Sequence, residues 1–223
     1  MSRVGDNFRR VRERIDQAAV RAGREGREVS ICAVTKRVGL PAIREAVEAG
    51  ARILGENRVQ EAGDKIPEAS DLAGRVQWHL IGPLQRNKAR RAVTLFDAFQ
   101  AVHSVALARK LADLGREQGR EIPILLEVLT SDEGTKAGLP IVEVPEAAAE
   151  VSELNGLSLQ GLMTMAPFTS EEGPVRSSFA ALRGLRERCG KPDWELSMGM
   201  TGDFEIAVEE GSTLVRIGTG IFG

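Results

Sequence analysis

The run VSICAVT at residues 29–35 is the first of eight short apolar segments that decide the fold. It is rich in β-branched residues and almost continuously apolar, as is typical of a parallel strand covered on both faces. Seven similar segments follow it along the chain: ARILG (51–55), RVQWHLI (75–81), LFDAFQAV (95–102), IPILLEVL (122–129), LSLQGLM (157–163), DWELSM (193–198) and STLVRI (212–217). The sequence therefore predicts eight strands.

The spacing of these segments predicts how the strands connect. Their ends recur about every 26 residues, which is the length that a parallel strand, a helix and two short loops require. Eight such units predict an α/β protein with the (β/α)8 TIM-barrel fold, formed by a single domain of residues 1–223. An open, doubly wound parallel sheet is the alternative fold.

The intervening stretches carry apolar residues at helical spacing. In the first of them Phe8, Val11 and Ile15 share one face, which predicts an extra N-terminal helix over 4–22. Further helices are predicted over 41–50, 106–119, 175–189 and 204–210. Because the chain ends just after the eighth strand, it leaves no room for an eighth helix, and we expect the N-terminal helix to cover that gap.

Composition and charge exclude several classes of protein. The 223 residues are 42% hydrophobic and 28% charged, which is enough apolar material for a core. The formal net charge of -2 disfavours a nucleic-acid binder, and no apolar run could span a membrane or form a signal peptide. Cys32 and Cys189 form neither a disulfide framework nor a metal motif. We therefore expect a reduced, cytoplasmic protein that binds neither nucleic acid nor membrane.

Lys36 is the first candidate functional residue, because it directly follows the first predicted strand. Active sites of barrels lie at the carboxyl ends of the strands. By strand alternation Lys36 shares a face with Cys32 and Val34, so it is partly desolvated if that face points into the barrel. Burial lowers the pKa of an amine and makes it a nucleophile towards carbonyl groups. The alternative is an ordinary charged loop residue.

The last two predicted strands end in segments suited to an anion. Residues 197–203 (SMGMTGD) lead into a predicted helix that Thr201 or Asp203 would cap, and residues 215–220 (VRIGTG) end in glycines. Free N–H groups at a helix start attract anions. The loops after strands seven and eight are also a frequent phosphate site in barrels. Plain turn chemistry is the alternative explanation.

Arg216 is predicted to point into the barrel if its neighbours Val215 and Ile217 face the helices. A buried guanidinium needs a partner, which could be a ligand atom or a carboxylate in a structural ion pair. Other polar residues near predicted strand ends are Glu56, Asn57, His79, Asn87, Lys88 and a second candidate lysine, Lys136.

A lysine on the first strand and an anion site on the last two suit a phosphorylated aldehyde. The lysine would form an imine with the aldehyde, and the loops would hold the phosphate. Pyridoxal 5′-phosphate (PLP) is the obvious candidate.

Six segments also resemble those of a known family: AVTK (33–36), GENRVQE (55–61), WHLIGPLQRNK (78–88), GLMTMAP (161–167), SMGMTGDFEIAV (197–208) and GSTLVRIGTGIFG (211–223). In this order they resemble the pyridoxal phosphate homeostasis proteins, single-domain relatives of the alanine racemase barrel. The resemblance implies the PLP fold type III, PLP as cofactor and a role in intracellular PLP homeostasis.

The resemblance also implies roles for individual residues. Lys36 matches the lysine that forms the internal aldimine, and Arg216 matches the arginine that faces the pyridine nitrogen. The residues that match the phosphate-binding segments are Ser197, Gly199, Met200, Thr201, Gly218 and Thr219. The residues that match the lining of the cofactor are Asn57, His79 and Met163. Thr201 stands where the family usually has serine, and AVTK replaces the commoner AVSK.

Arg216 also bears on whether the chain is an enzyme. A guanidinium beside the pyridine nitrogen disfavours protonation of that nitrogen, which makes PLP a weaker electron sink. Racemisation needs an acid–base group on each face of the substrate. Alanine racemases use a tyrosine there and carry a second domain, and this chain contains no tyrosine. The sequence therefore predicts a PLP carrier or regulator without efficient turnover and without a catalytic residue.

Two alternatives to the carrier stay open. One is a weak or narrow amino-acid racemase that uses His79 or Cys32 as its second base, and the other is a protein-interaction scaffold with vestigial PLP. Besides PLP, the expected partners are PLP-dependent apoenzymes or small amino acids. The missing second domain favours a monomer.

Overall fold

The computed structural model describes residues 2–131 and 137–223 of the chain. Within them, the strands are β1 (Ser30–Val34), β2 (Ile53–Glu56), β3 (Gln77–Leu80), β4 (Ala98–Val102), β5 (Ile122–Leu129), β6 (Leu139–Pro140), β7 (Leu157–Met163), β8 (Glu195–Ser197) and β9 (Leu214–Ile217). Each predicted apolar segment corresponds to one strand, and the two-residue β6 is additional. Segments 122–129 and 157–163 match β5 and β7 residue for residue.

The strands form a closed parallel barrel. Each strand pairs with the next in the order β1, β2, β3, β4, β5, β7, β8 and β9, and β9 pairs with β1. The short β6 adds to the end of β5. Because the sheet closes on itself, the predicted (β/α)8 barrel is confirmed, and the open sheet is wrong.

Helices cover the outside of the barrel. The described helices are α1 (Arg3–Arg21), α2 (Leu40–Glu48), α3 (Val59–Glu68), α4 (Ala89–Ala92), α5 (Val105–Gln118), α6 (Val144–Ser152), α7 (Glu172–Arg188), α8 (Phe204–Glu209) and α9 (Thr219–Phe222). Their ends follow local chemistry. The Ser104 hydroxyl accepts from the Leu107 N–H at the start of α5, and Gly119 ends α5 at a left-handed φ of 64°.

The N-terminal helix α1 covers the gap beside the last strand, as predicted. Its buried face packs against α2, α8 and α9. The Asn7 side chain donates to the Ile221 carbonyl over 3.0 Å, and Arg14 binds both carboxylate oxygens of Glu205. One expectation is wrong: a short helix, α9, does follow the eighth barrel strand, because four residues suffice to close a turn against α1.

Alternation along the strands separates the interior of the barrel from the helix layer. Cys32 and Leu214 belong to a small apolar cluster inside the barrel, whereas Ala33, Val215 and Ile217 belong to the large core shared with the helices. No helix in residues 2–131 and 137–223 is long and apolar enough to cross a membrane. In the same residues no cluster of His, Cys, Asp and Glu could hold a metal ion.

Candidate functional site

Lys36 lies in a tight turn directly after β1. The Val38 N–H donates to the Thr35 carbonyl over 2.9 Å and closes the turn, and Arg37 adopts a left-handed φ of 59°. The Lys36 side chain is exposed. The expectation of partial burial is therefore wrong, because β1 ends at Val34 and Lys36 lies beyond it in the turn. Its amine makes no hydrogen bond or ion pair with any described residue, so it is available to a ligand.

Three charged side chains pack beneath this turn and are called the ion-pair clamp below: Glu56 at the end of β2, and Glu61 and Lys65 on α3. The Lys65 Nζ donates to Glu56 Oε1 over 2.6 Å and to Glu61 Oε1 over 3.2 Å. The Glu56 side chain is fully buried and that of Lys65 is 11% exposed. Burial raises the pKa of Glu56, while hydrogen bonds from Lys65 and Thr35 oppose that rise.

Arg216 points into the barrel, as predicted, and is 4% exposed. Its Nη1 donates to Ser197 Oγ over 2.6 Å, and its Nη2 donates to the Thr164 carbonyl over 2.8 Å. Burial lowers the pKa of Arg216, and Cys32, Asp203 and Glu127 oppose this when they are ionised.

A chain of hydrogen bonds leads from Arg216 through Ser197 and Gln100 to His79 across the interior of the barrel. Ser197 Oγ donates to Gln100 Oε1 over 2.7 Å, and Gln100 Nε2 lies 2.8 Å from His79 Nδ1. A longer contact of 3.4 Å joins His79 Nε2 to Gln77 Oε1. Burial lowers the pKa of His79 to about 4, so the ring is neutral and its Nδ1 accepts from Gln100. His79 and Ser197 are therefore parts of one interior network that orients Arg216.

Glu127 is a buried carboxyl group on β5 inside the same barrel. Burial raises its pKa to about 7, and the charge of Arg216 opposes that rise. Its Oε2 is buried without a hydrogen-bond partner among the described residues. Glu127 is thus partly protonated near neutral pH, which reduces the energetic penalty of burying it.

The segments after β8 and β9 present backbone donors. The N–H groups of Thr201, Gly202, Gly218 and Thr219 donate no hydrogen bond to the described residues. Thr201 Oγ1 accepts from the Gly220 N–H over 3.2 Å and ties the two segments together. Four unpaired donors on two linked loops form a cradle suited to an anion.

The predicted helix cap in this region is wrong in detail. Asp203 stands at the N-cap position of α8, but its side chain makes no capping bond. Instead Asp203 Oδ1 accepts from the Met200 N–H over 2.5 Å, and Thr201 binds Gly220. The turn also requires a glycine at position 199, where φ is 97°. The Cβ of any other residue there would lie 2.6 Å from the Cβ of Ala207.

The other predicted residues lie around the same end of the barrel. Met163 ends β7 and is buried. Asn57 lines an open groove of about 1300 Å³ together with Arg58, Arg86 and Lys88. Lys136 lies outside the described residues.

The strand order brings the two halves of the site together. β9 pairs with both β1 and β8. The Lys36 turn and the two segments with unpaired N–H groups after β8 and β9, called the donor loops below, therefore follow neighbouring strands. A Cβ on Gly218 would lie 3.5 Å from the Cβ of Val34. The exposed Lys36 amine and the N–H groups of the donor loops therefore lie at the same end of the barrel, where the carboxyl ends of the strands meet.

Comparisons with known proteins agree with this geometry. Residues 6–223 match the family of the alanine racemase N-terminal domain. The pyridoxal phosphate homeostasis protein of Escherichia coli (strain K12) is 40% identical over 228 residues, which cover 100% of this chain and 97% of that protein. The chain belongs to the pyridoxal phosphate homeostasis protein family. The resemblance that the sequence motifs indicated is thereby confirmed.

Solved structures of similar proteins show the same barrel. PipY of Synechococcus elongatus PCC7942, in a structure with PLP bound, is 37% identical with a TM-score of 0.81, and the match covers 96% of this chain and all of that chain. An alanine racemase of Clostridium difficile 630 has a TM-score of 0.77 at 13% identity. The match covers 98% of this family member but 56% of the racemase, so the racemase shares the fold over part of its length.

Sequence reasoning missed several residues of the site. Gln100 and Glu127 both interrupt strongly apolar strands, LFDAFQAV and IPILLEVL, and that interruption was the available signal. Thr164 binds Arg216 through its backbone carbonyl. Every residue has such a carbonyl, so the residue type gave no signal. The role of Lys65 depends on how α3 packs, so no local pattern marks it.

Proposed function

We propose that this chain binds PLP and holds it covalently on Lys36, as a carrier or regulator in intracellular PLP homeostasis. One observation carries the proposal: a lysine amine and a cradle of N–H donors, all without a partner among the described residues, border the same end of the barrel. The binding of PLP by the related PipY and the names of the curated relatives support it.

The residues present fit the chemical groups of PLP. When bound, PLP supplies an aldehyde that condenses with an amine and releases water. Lys36 offers that amine. The N–H groups of Thr201, Gly202, Gly218 and Thr219 would hold the phosphate, with Gly199 shaping the turn between them.

Arg216 would face the pyridine nitrogen. A guanidinium has five N–H groups, and hydrogen bonds to described residues occupy two of them. The remaining donors are available to an acceptor nitrogen, and the positive charge keeps that nitrogen unprotonated. We propose that Asn57, His79, Met163, Ser197 and Met200 complete the surroundings of the cofactor.

The interior groups favour a carrier over a racemase. Burial raises the pKa of the Cys32 thiol to about 12, and His79 is neutral with its Nδ1 already bonded to Gln100. Neither group is suited to take up a substrate proton at neutral pH. The fold shared with alanine racemase is the observation that favours weak racemisation as the second candidate.

Borohydride reduction of the PLP-loaded protein, followed by peptide mass analysis, tests the covalent link. We expect a pyridoxyl-phosphate adduct on Lys36, its loss in Lys36→Ala and its retention in Lys191→Ala, the matched variant of another exposed lysine. An adduct on Lys136 in place of Lys36 would contradict the proposal.

Turnover is tested by α-deuterium washout on a panel of amino acids with the same protein. We expect no robust exchange. If exchange does occur, its loss in Cys32→Ala or His79→Gln would identify the second base and establish the racemase.

The partners beyond PLP follow from the same proposal. A protein that holds and releases PLP would supply PLP-dependent apoenzymes in the cytoplasm, or respond to small amino acids, and we propose that it acts as a monomer. Light scattering of the loaded protein tests the monomer, and a dimer mass would contradict it.

A further inference from the structure

The ion-pair clamp formed by Glu56, Glu61 and Lys65 grips the chain on both sides of Lys36. On one side, the Thr35 carbonyl accepts from Lys65 Nζ over 2.7 Å, and the Thr35 hydroxyl donates to Glu56 Oε1 over 2.7 Å. On the other side, the Arg37 N–H donates to Glu61 Oε1 over 2.5 Å.

All three protons of Lys65 are engaged in this arrangement. They bind the Thr35 carbonyl, Glu56 and Glu61. The cluster is half-buried to buried, with the Glu56 side chain fully covered and that of Glu61 29% exposed. Charge-assisted hydrogen bonds in such a setting are stronger and more directional than surface pairs.

The turn that these bonds hold is strained. Arg37 has a φ of 59°, a conformation that residues other than glycine adopt at a cost. A backbone in this state persists where its surroundings over-determine it. Here the surroundings are the clamp, which binds Thr35 before Lys36 and Arg37 after it and makes no hydrogen bond to the Lys36 side chain.

We propose that Glu56, Glu61 and Lys65 are positioning residues that fix the Lys36 turn so that its amine meets the aldehyde of PLP. This inference rests on the proposed function. In the step concerned, the neutral Lys36 amine bonds to the aldehyde carbon, and the aldehyde oxygen leaves as water with the two hydrogens of that amine, so no further reactant is required. The clamp would accelerate that step by orientation alone, through its bonds to Thr35 and Arg37.

A positioning role is distinguishable from general support of the fold by a ligand that lacks the aldehyde. Pyridoxamine 5′-phosphate carries the same ring and phosphate but cannot condense with Lys36. If the clamp acts on the Lys36 turn, its loss slows covalent attachment of PLP and leaves binding of pyridoxamine 5′-phosphate unchanged. If it only supports the fold, both ligands are affected together.

The experiment uses the full-length chain in rapid mixing with PLP, followed by absorbance of the covalent linkage, and calorimetry with pyridoxamine 5′-phosphate. Misplacement of a reacting group by about 1 Å slows reactions by up to about 100-fold. We therefore expect attachment to slow by about 10-fold in Glu61→Gln and by about 100-fold in Lys65→Met. Lys65→Arg, which keeps the charge, should recover most of the rate.

Asp71→Asn is the matched control, because it breaks an exposed ion pair with Arg44 outside the clamp. Its attachment rate should equal that of the unaltered chain. Unchanged rates in both Glu61→Gln and Lys65→Met would overturn the inference, as would equal weakening of both ligands. Failure of the unaltered chain to form any linkage would instead overturn the proposed function.

Discussion

The two sides of the barrel mouth present their functional groups in opposite ways. On the β1 side, Lys36 is exposed and bonds to no described residue. On the β8–β9 side, Arg216 is buried and bonded to Ser197 and Thr164. Among the described residues the Lys36 amine therefore has no partner that would hinder its reaction, whereas the Arg216 guanidinium is part of the framework of the barrel.

The difference indicates that the reactive group, Lys36, and the group that stabilises the barrel interior, Arg216, are held in place by separate sets of contacts. The orientation of Lys36 comes from the backbone on either side of it, through the clamp. The orientation of Arg216 comes from its own hydrogen bonds, which continue through Gln100 to His79. Substitutions at the two cations should consequently have different signatures, which can be ordered by size.

The largest expected effect is on the Lys36 side. Lys36→Ala should abolish covalent attachment of PLP completely, because the neighbouring amine of Lys65 has all its protons engaged in the clamp. Its free energy of unfolding should change by less than about 0.5 kcal/mol, since an exposed side chain without partners among the described residues is removed. Absorbance of the PLP-treated protein and urea denaturation measure the two quantities. A large loss of stability in Lys36→Ala would contradict the view that Lys36, unlike Arg216, contributes little to the stability of the barrel.

The next effect is on the Arg216 side. Arg216→Met should lower the free energy of unfolding by about 2–4 kcal/mol, because the Thr164 carbonyl and the Ser197 oxygen lose charged donors inside the barrel. Urea denaturation without PLP measures this. Arg44→Met, which removes an exposed arginine paired with Asp71, is the control and should cause little change. Equal stability of the two variants would show that the interior network contributes nothing.

The third effect is a pH dependence of the free energy of unfolding, caused by Glu127 beside Arg216. The pKa of Glu127 is raised to about 7 in the fold, above its value in the unfolded chain, so the folded state binds the extra proton. Stability from this group is present at low pH and falls as pH rises from about 4.5 to 7. Glu127→Gln cannot lose a proton.

The measurement is urea denaturation of both proteins at pH 5 and pH 8. Relative to Glu127→Gln, the unaltered chain should lose up to about 3 kcal/mol between those values, because a tenfold difference in proton affinity between the folded and unfolded states corresponds to about 1.4 kcal/mol. An identical pH dependence in both proteins would show that Glu127 titrates normally.

The smallest effect concerns the donor loops. Gly199→Ala forces a Cβ against Ala207 and Phe204 at a positive φ, and should lower the free energy of unfolding by about 1–3 kcal/mol and weaken phosphate-dependent binding. Gly184→Ala on α7 is the matched control, because its Cβ would meet nothing within 4 Å. It should raise stability by about 0.5–1 kcal/mol. Thermal denaturation and calorimetry with pyridoxamine 5′-phosphate measure both variants.

Local patterns predicted the fold well. The barrel strands lie within their predicted segments, apart from β2, which extends one residue further to Glu56, since continuous apolar runs between helical stretches allow few other arrangements. The inward direction of Arg216 also followed from alternation. The exposure of Lys36 did not, because β1 ends at Val34 and the turn after it abolishes the alternation.

The sequence by itself determined the barrel, the family and the set of candidate residues, because the period of apolar segments and the motifs are local properties of the chain. Only the tertiary structure decided which groups meet. Lys65 and Glu56 lie nine residues apart, and the packing of α3 on β2 brings them within hydrogen-bonding distance. Gln100 and Ser197 lie 97 residues apart, and barrel closure brings them together. The physical reason is that burial and partners set the pKa and orientation of a side chain, and both depend on the packing of distant segments.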